Sequence, residues 1–363
     1  MEPMGVGIIG CGNISDRYFD AGETFAALDI VGCTDLEPER AEAKSETYGV
    51  EAFEDVEALV RANEVDIAIN LTPPRAHAEV SLEIIDAGTH VYSEKPLAAT
   101  PSEASDVLDL AAKRDVRIGC APDTVLGRGI QTARRALDEG RIGDPIGATA
   151  FFTSGGHESW HPDPDGFYLR GGGPLLDMGP YYVTALAHLL GPATRIAGST
   201  RQPFPTRTIA SEPRAGEPID VEVPTHEIGV VDYEIGATAT LIFSFDVPDS
   251  RIAPQNGLEI HGSEGTLLVP DPNHFDGEVR VSGEDEATWE TIPLVDGPAG
   301  QQRGLGVVDL AEAIRGEWDH RTSGEVAYHV LEIMAGVRRA SEMAEYVTPT
   351  KQIERPEPMP ASF

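Results

Sequence analysis

The chain has 363 residues, 40% of them hydrophobic, with 61 acidic against 27 basic side chains and a formal net charge of -34. That length allows about two domains and a sizeable core, and a field of that sign makes nucleic acid and anionic membrane surfaces poor partners. Only Lys44, Lys95, Lys113 and Lys351 are lysines, a balance that reads as halophilic adaptation, since a Debye length of about 3 Å at 1 M salt screens the self-repulsion.

In chain order, the first 120 residues alternate short apolar runs with helical stretches. The runs fall at Gly5–Ile9, Ile30–Thr34, Val65–Leu71, His90–Tyr92 and Val116–Cys120, and the helices include Pro38–Tyr48, Arg75–Ala87 and Pro101–Arg114. Thr100-Pro101-Ser102-Glu103 marks a helix start, with a Thr cap, Pro at the first position and Glu three residues on. Such alternation predicts an α/β fold with a doubly wound parallel sheet. After a helix near Gly129–Glu139 the pattern turns β-rich, at Ile146–Thr153, Glu227–Asp232, Thr238–Phe245, Gly257–Ile260 and Thr266–Val269. These runs predict a C-terminal α+β domain on a mostly antiparallel sheet. Residues 1–123 are therefore expected as one domain and 124–363 as the second. Arg201–Pro224 reads as a long proline-rich loop, helices are expected near Val307–Arg315 and Glu325–Met343, and the tail from Pro349 reads as an extended arm.

Cys11, Cys33 and Cys120 show no metal-ligand spacing, so no metal is expected and the thiols read as reduced, in a cytoplasmic protein. The start of the chain lacks a basic leader or cleavage site, so no secretory signal is expected. No apolar run approaches the roughly 18 residues of a membrane span.

The chemistry gathers at strand ends. Gly10-Cys11-Gly12-Asn13-Ile14-Ser15 follows the first strand and opens a helix. Gly10 permits a tight turn, and Gly12 lets backbone approach a pyrophosphate seated on the helix N-terminus. Asp35 ends the second strand, where an acid accepts a ribose 2′-hydroxyl and repels a 2′-phosphate, which favours NAD over NADP. Asn70-Leu71-Thr72-Pro73-Pro74 with His77, and Glu94-Lys95-Pro96, sit at further carboxyl ends, the edge where an open α/β sheet binds ligands. A lysine at 95 in an arginine-rich chain points to a role for a compact ammonium with a tunable pKa.

These segments, with Gly140-Arg141-Ile142-Gly143 and Gly171-Gly172-Gly173…Asp177-Met178-Gly179, resemble the Gfo/Idh/MocA oxidoreductases in order and spacing, from about residue 5 to about 345. The resemblance implies an N-terminal Rossmann domain, a C-terminal domain on a large open sheet, and nicotinamide held between them. It implies homodimers or homotetramers, a catalytic Lys95, and a Lys-Pro bond that is often cis. Cofactor contacts then fall on Gly10, Gly12, Asn13, Ile14, Asp35, Asn70, Thr72, Pro73, His77, Glu94 and Lys95.

The chain also departs from the pattern. Many members carry His where this chain has Tyr181, and Asp where it has Thr184; a tyrosine resembles the members in which it transfers the proton. The frequent Asn-x-Arg segment is replaced by Ala121-Pro122-Asp123-Thr124, which leaves Asp123 as an acceptor for sugar hydroxyls or a helix cap. Gly156-His157-Glu158-Ser159-Trp160-His161, followed by Tyr168, is dense in polar and aromatic groups suited to a sugar. His157, Trp160, His161 and Tyr168 are thus expected as substrate contacts.

The expected reaction moves hydride between nicotinamide and a hydroxyl-bearing carbon of a sugar or polyol. A free tyrosine titrates near ~10, and a neighbouring ammonium favours its phenolate, so Lys95 and Tyr181 form a sensible pair with Asp177 one helical turn before Tyr181. The rival assignment makes Lys95 the proton carrier and Tyr181 a hydroxyl anchor. Two other readings stand beside the dehydrogenase: a redox-neutral NAD-dependent glycosidase, and a non-catalytic NAD-binding regulator.

Overall fold

The computed structural model describes residues 2–62, 64–250, 257–283, 288–316 and 318–360. The chain divides into two units, one of residues 1–126 and 301–328, the other of 127–300 and 329–363.

In the first unit β1 (Met4–Ile9), α1 (Ser15–Thr24), β2 (Leu28–Thr34), α2 (Pro38–Tyr48), β3 (Glu51–Ala52), α3 (Val56–Val60), β4 (Ile67–Asn70), α4 (His77–Asp86), β5 (His90–Ser93), α5 (Pro101–Arg114) and β6 (Ile118–Cys120) follow one another. The six strands form a parallel sheet in the order β3-β2-β1-β4-β5-β6. Val6, Ile8, Ile67 and Ile69 are buried, as expected of strands covered on both faces. Thr100 caps α5, accepting from the Glu103 N–H at 3.3 Å and donating to the Glu103 carboxylate at 2.9 Å. The chain order reverses beside β1, with β2 and β3 added on one side and β4 to β6 on the other, and this switch point opens the ligand-binding edge. β3 and α3 are too short to give an apolar pattern; pairing of Gly32 and Cys33 with Glu51 and Ala52 creates the strand.

The expected boundary after residue 123 falls at 126, and residues 301–328, expected in the second domain, belong to the first unit. The reason is β6, an edge strand with a free ladder. Ser323 bridges Gly119, Cys120 N donates to the Thr322 carbonyl at 2.9 Å, and the helix Leu305–Gly316 buries Val307 and Leu310 in this unit.

The second unit contains α6 (Arg128–Asp138), β7 (Pro145–Thr153), α7 (Pro174–Asp177), α8 (Gly179–Leu190), β8 (Ala193–Arg201), β9 (Thr206–Thr208), β10 (Pro218–Asp220), β11 (His226–Tyr233), β12 (Thr238–Ser244), β13 (Gly257–Gly262), β14 (Thr266–Val269), β15 (Val279–Ser282) and β16 (Trp289–Ile292). Eight strands form one sheet in the order β16-β15-β14-β13-β7-β12-β11-β8, antiparallel except for the parallel β7–β12 pair. Alternation along β11 buries Glu227, Gly229, Val231 and Tyr233 on one face. Gly198 and Gly229 pair across β8 and β11, and a Cβ at Gly198 would lie 2.0 Å from the Val337 carbonyl. This glycine pair is what lets the helix Gly324–Met343 lie on the sheet. The segment expected as a loop at 201–224 carries the β9–β10 hairpin. From Pro349 the chain is an extended arm, with Arg134 donating to the Pro356 carbonyl at 2.7 Å and Met359 N to Gln131 at 2.8 Å.

Candidate active site

At the end of β1 the chain turns through Gly10, whose φ of +96° suits glycine alone and whose Cβ would stand 3.0 Å from the Leu71 carbonyl group. A Cβ at Gly12 would meet nothing within 4 Å, so the space beside this turn is open. Asn13 and Ile14 stand exposed there, and α1 begins without a side-chain cap, which leaves donor capacity on its first N–H groups. An open glycine beside a helix N-terminus fits a pyrophosphate. Ser15, in place of a third glycine, is buried and donates to the Gly12 carbonyl at 2.6 Å. Asp35 accepts from Cys11 N at 2.6 Å and Glu37 N at 2.9 Å, which fixes its carboxylate against the turn.

Asn70 closes β4 and is buried. It donates to the His77 carbonyl at 3.0 Å and to Ser81 at 3.1 Å, and accepts from Thr72 N at 3.2 Å and the Thr72 hydroxyl at 2.7 Å. His77 is also buried, its Nδ1 2.6 Å from the Pro96 carbonyl and its Nε2 2.7 Å from the Thr72 carbonyl. A neutral ring donates to only one of these at a time; burial pushes the His77 pKa down, against the pull of both carbonyls. The side chains of Asn70 and His77, expected as cofactor contacts, are thus spent inside the protein. They hold Thr72-Pro73 and Pro96 in place instead.

The Lys95-Pro96 bond is cis. Glu94 accepts from the Tyr18 hydroxyl at 2.8 Å and from Lys95 N at 3.0 Å. Burial opposes its charge, but Arg303, Lys95 and the Tyr18 hydroxyl hold its carboxyl below the usual value. Lys95 itself is half-buried. Asp123 departs from its expected role as a sugar contact. It is 0% exposed, pairs with Arg303 at 2.9 Å and accepts from Gly304 N at 2.8 Å and Gly306 N at 3.3 Å. Burial pushes its carboxyl up against those partners. Its work is to tie the 301–306 segment to this unit. Arg303 was legible only as one arginine among many, since its partner lies 180 residues away.

In the second unit Asp177 ends α7 and Tyr181 lies in the first turn of α8. The expected single helix is interrupted at Met178, which separates α7 from α8. Gly173 has φ +97°, and a Cβ there would lie 2.6 Å from Arg338 and 2.9 Å from the Pro224 carbonyl. Buried Glu227 binds Arg338 at 2.7 and 3.1 Å and accepts from Leu175 N at 3.1 Å, while Arg338 donates to the Gly172 carbonyl at 2.9 Å. This pair fixes the glycine segment and the start of α7. A glutamate on the inward face of β11 was the available sequence signal for it.

His157 lies within reach of this motif, its Nε2 3.3 Å from Asp177 Oδ2. Its ring stacks on Phe167, with centroids 3.9 Å apart, and neighbours Trp160 at 5.2 Å. Trp160 is 63% exposed, and His161 accepts from Asp163 N at 3.1 Å. Tyr168, expected to touch substrate, is a core residue. It is 0% exposed, with its hydroxyl bound by Glu158 and the His157 N–H. Among the described residues no group of His, Cys, Asp and Glu is arranged to hold a metal, and no helix is long and apolar enough to cross a membrane.

Residues 4–121 match the oxidoreductase family model described as an NAD-binding Rossmann fold, and residues 130–268 match the GFO/IDH/MocA C-terminal domain. The chain is 27% identical to dTDP-3,4-didehydro-2,6-dideoxy-alpha-D-glucose 3-reductase of Streptomyces violaceoruber, over 95% of this chain and 97% of that one. It is 28% identical to D-glucoside 3-dehydrogenase of Escherichia coli K12, over 74% and 78%. Among solved structures, apo levoglucosan dehydrogenase shares the fold at a TM-score of 0.82 and 21% identity, covering 98% of this chain and 100% of that one. An NAD-binding oxidoreductase from Klebsiella pneumoniae does so at 0.83 and 21%, covering 96% and 100%.

Proposed function

The chain belongs to the Gfo/Idh/MocA oxidoreductase family, and from that premise we propose that it is an NAD-dependent dehydrogenase of a sugar, polyol or related polyhydroxylated compound. One observation carries the reading: the open space at Gly12 over α1 and the Glu94-Lys95-Pro96 turn share the carboxyl edge of one parallel sheet. The bound nicotinamide supplies the hydride acceptor or donor. Lys95 and Tyr181 move the proton of the reacting hydroxyl, and Asp177 orients it. Trp160 and His161 are assigned to the sugar, whereas His157, expected beside them, faces Asp177.

Gly10, Gly12, Asn13 and Ile14 are assigned to the pyrophosphate, with Thr72, Pro73 and Glu94 shaping the cofactor edge. Asp35 is assigned to the ribose 2′-hydroxyl. The nearby cations support NAD over NADP, because Lys44 pairs with Asp16, and Arg40 with Glu37 at 2.8 Å. The half-exposed sheet face bearing Phe151, Ile228, Val230 and Ile242 supports a homodimer or homotetramer. Three buried free thiols fit the cytoplasm, and the acidic, lysine-poor surface fits a halophile.

The test is NADH formation from NAD+, and separately from NADP+, across sugars, glucosides, polyols and inositols in about 2 M KCl. Turnover of one substrate class that Lys95→Ala abolishes, with NAD binding kept, supports the dehydrogenase. NAD binding without net turnover turns the reading to the redox-neutral enzyme or the regulator, and absence of NAD binding overturns it.

A further inference from the structure

We infer that His157 is a positioning residue that holds Asp177 for proton transfer, an inference that rests on the assignment of Asp177 to the proposed reaction. Asp177 comes at the end of α7, a helix of four residues, too short to fix a terminal side chain by its own packing. The carboxylate is only 15% exposed and has His157 Nε2 3.3 Å from Oδ2.

The imidazole is held from several sides. Phe167 stacks on it at 3.9 Å with planes 14° apart, Phe245 meets it edge-on at 4.6 Å and Trp160 flanks it at 5.2 Å. Its backbone N–H donates to the Tyr168 hydroxyl at 3.0 Å, and that hydroxyl binds Glu158, which Arg207 clamps in turn. A ring so enclosed is held in place, with Nε2 3.3 Å from the carboxylate.

The polar atoms say why a histidine stands among these aromatic rings. Nδ1 is buried with no hydrogen-bonding partner among the described residues, which costs free energy that a phenylalanine would not incur. The nitrogen that is used faces Asp177. A carboxylate only accepts, so the contact favours a proton on Nε2. The contact thus restrains the carboxylate from the His157 side, the arrangement by which an outer partner tunes a working side chain.

His157→Gln, His157→Asn and His157→Phe test this, with NAD+ and the sugar of highest wild-type turnover in the panel above. Glutamine places an amide donor near the Nε2 position, whereas asparagine places it near Nδ1 and phenylalanine keeps only the packing. The expected order in kcat is wild type, Gln, then Asn and Phe together, the last two down about 100-fold with KM for the sugar changed less than about threefold. Melting temperatures should run otherwise, with Phe at least as stable as Gln. Activity in Phe equal to or above that in Gln, or activity that follows melting temperature across all three, overturns the inference. Lys95→Ala, measured in parallel, separates the two failures: activity surviving that change overturns the reading of the reaction, not the role of His157.

Discussion

Glu227 presents both carboxylate oxygens to Arg338, at 2.7 Å to Nε and 3.1 Å to Nη2, and the same carboxylate accepts the Leu175 N–H. The pair joins β11 and the helix Gly324–Met343 to the glycine segment ahead of Asp177. Removing one partner of a buried pair leaves the other charge uncompensated. Glu227→Gln is therefore expected to lower stability by about 3 kcal/mol and to cut turnover while NAD affinity stays at the wild-type level. Chemical denaturation and calorimetric NAD titration check this, and an unchanged denaturation midpoint would sink the idea.

Asn70 makes four hydrogen bonds that tie the end of β4 to Thr72, His77 and Ser81. Asn70→Ala leaves buried groups unsatisfied, so it should cost about 2–3 kcal/mol and raise KM for NAD through the Thr72-Pro73 edge. Hydrogen exchange of the Thr72 amide is the local readout; protection equal to wild type would show that the loop does not depend on Asn70.

Asp35 bridges the glycine turn to the loop after β2. Asp35→Ala is expected to weaken NAD roughly tenfold, about 1.4 kcal/mol, and to narrow the preference over NADP. Paired binding curves for the two cofactors decide it. Equal loss for both would reduce Asp35 to a turn anchor.

His90 and His329 each accept a backbone N–H, from Arg117 and Ala193, both at 2.9 Å. Burial lowers both pKa values, with the Arg117 charge adding to the effect at His90. The unfolded chain then binds more protons below about pH 6.5. Their stabilisation is present in full above that pH and is lost as pH falls from there through the lower folded-state values. Melting temperature should decline from pH 7.5 to 5.5, about neutral to mildly acidic, and His90→Gln with His329→Gln should flatten the slope.

A chain with formal charge -34 repels itself at low salt. The melting temperature is expected to rise with KCl between about 0.1 and 2 M as screening shortens the Debye length. No rise over that range would count against halophilic adaptation.

The parallel sheet and the glycine turn were legible because their signals are local. β1 is a continuous apolar run, Gly10 and Gly12 are spaced for one turn, and Thr100-Pro101-Ser102-Glu103 caps α5 where the sequence marks it. β8, β15 and the β9–β10 hairpin were not legible, since ATRIAGSTR, VRVS and TRT carry little periodic apolar pattern and owe their conformation to neighbouring strands.

Among the site residues the division is the same. Sequence alone determined which residue types stand at the strand ends, because a turn, a cap or a charge at a fixed offset is a property of a few consecutive residues. Only tertiary structure decided what those side chains do. Asp123 turned inward to Arg303, Tyr168 to Glu158, and Asn70 and His77 to their own loops, while His157 was brought to Asp177. Each outcome was set by a partner distant in the chain or by burial, where an unpaired polar group costs more than any local preference supplies.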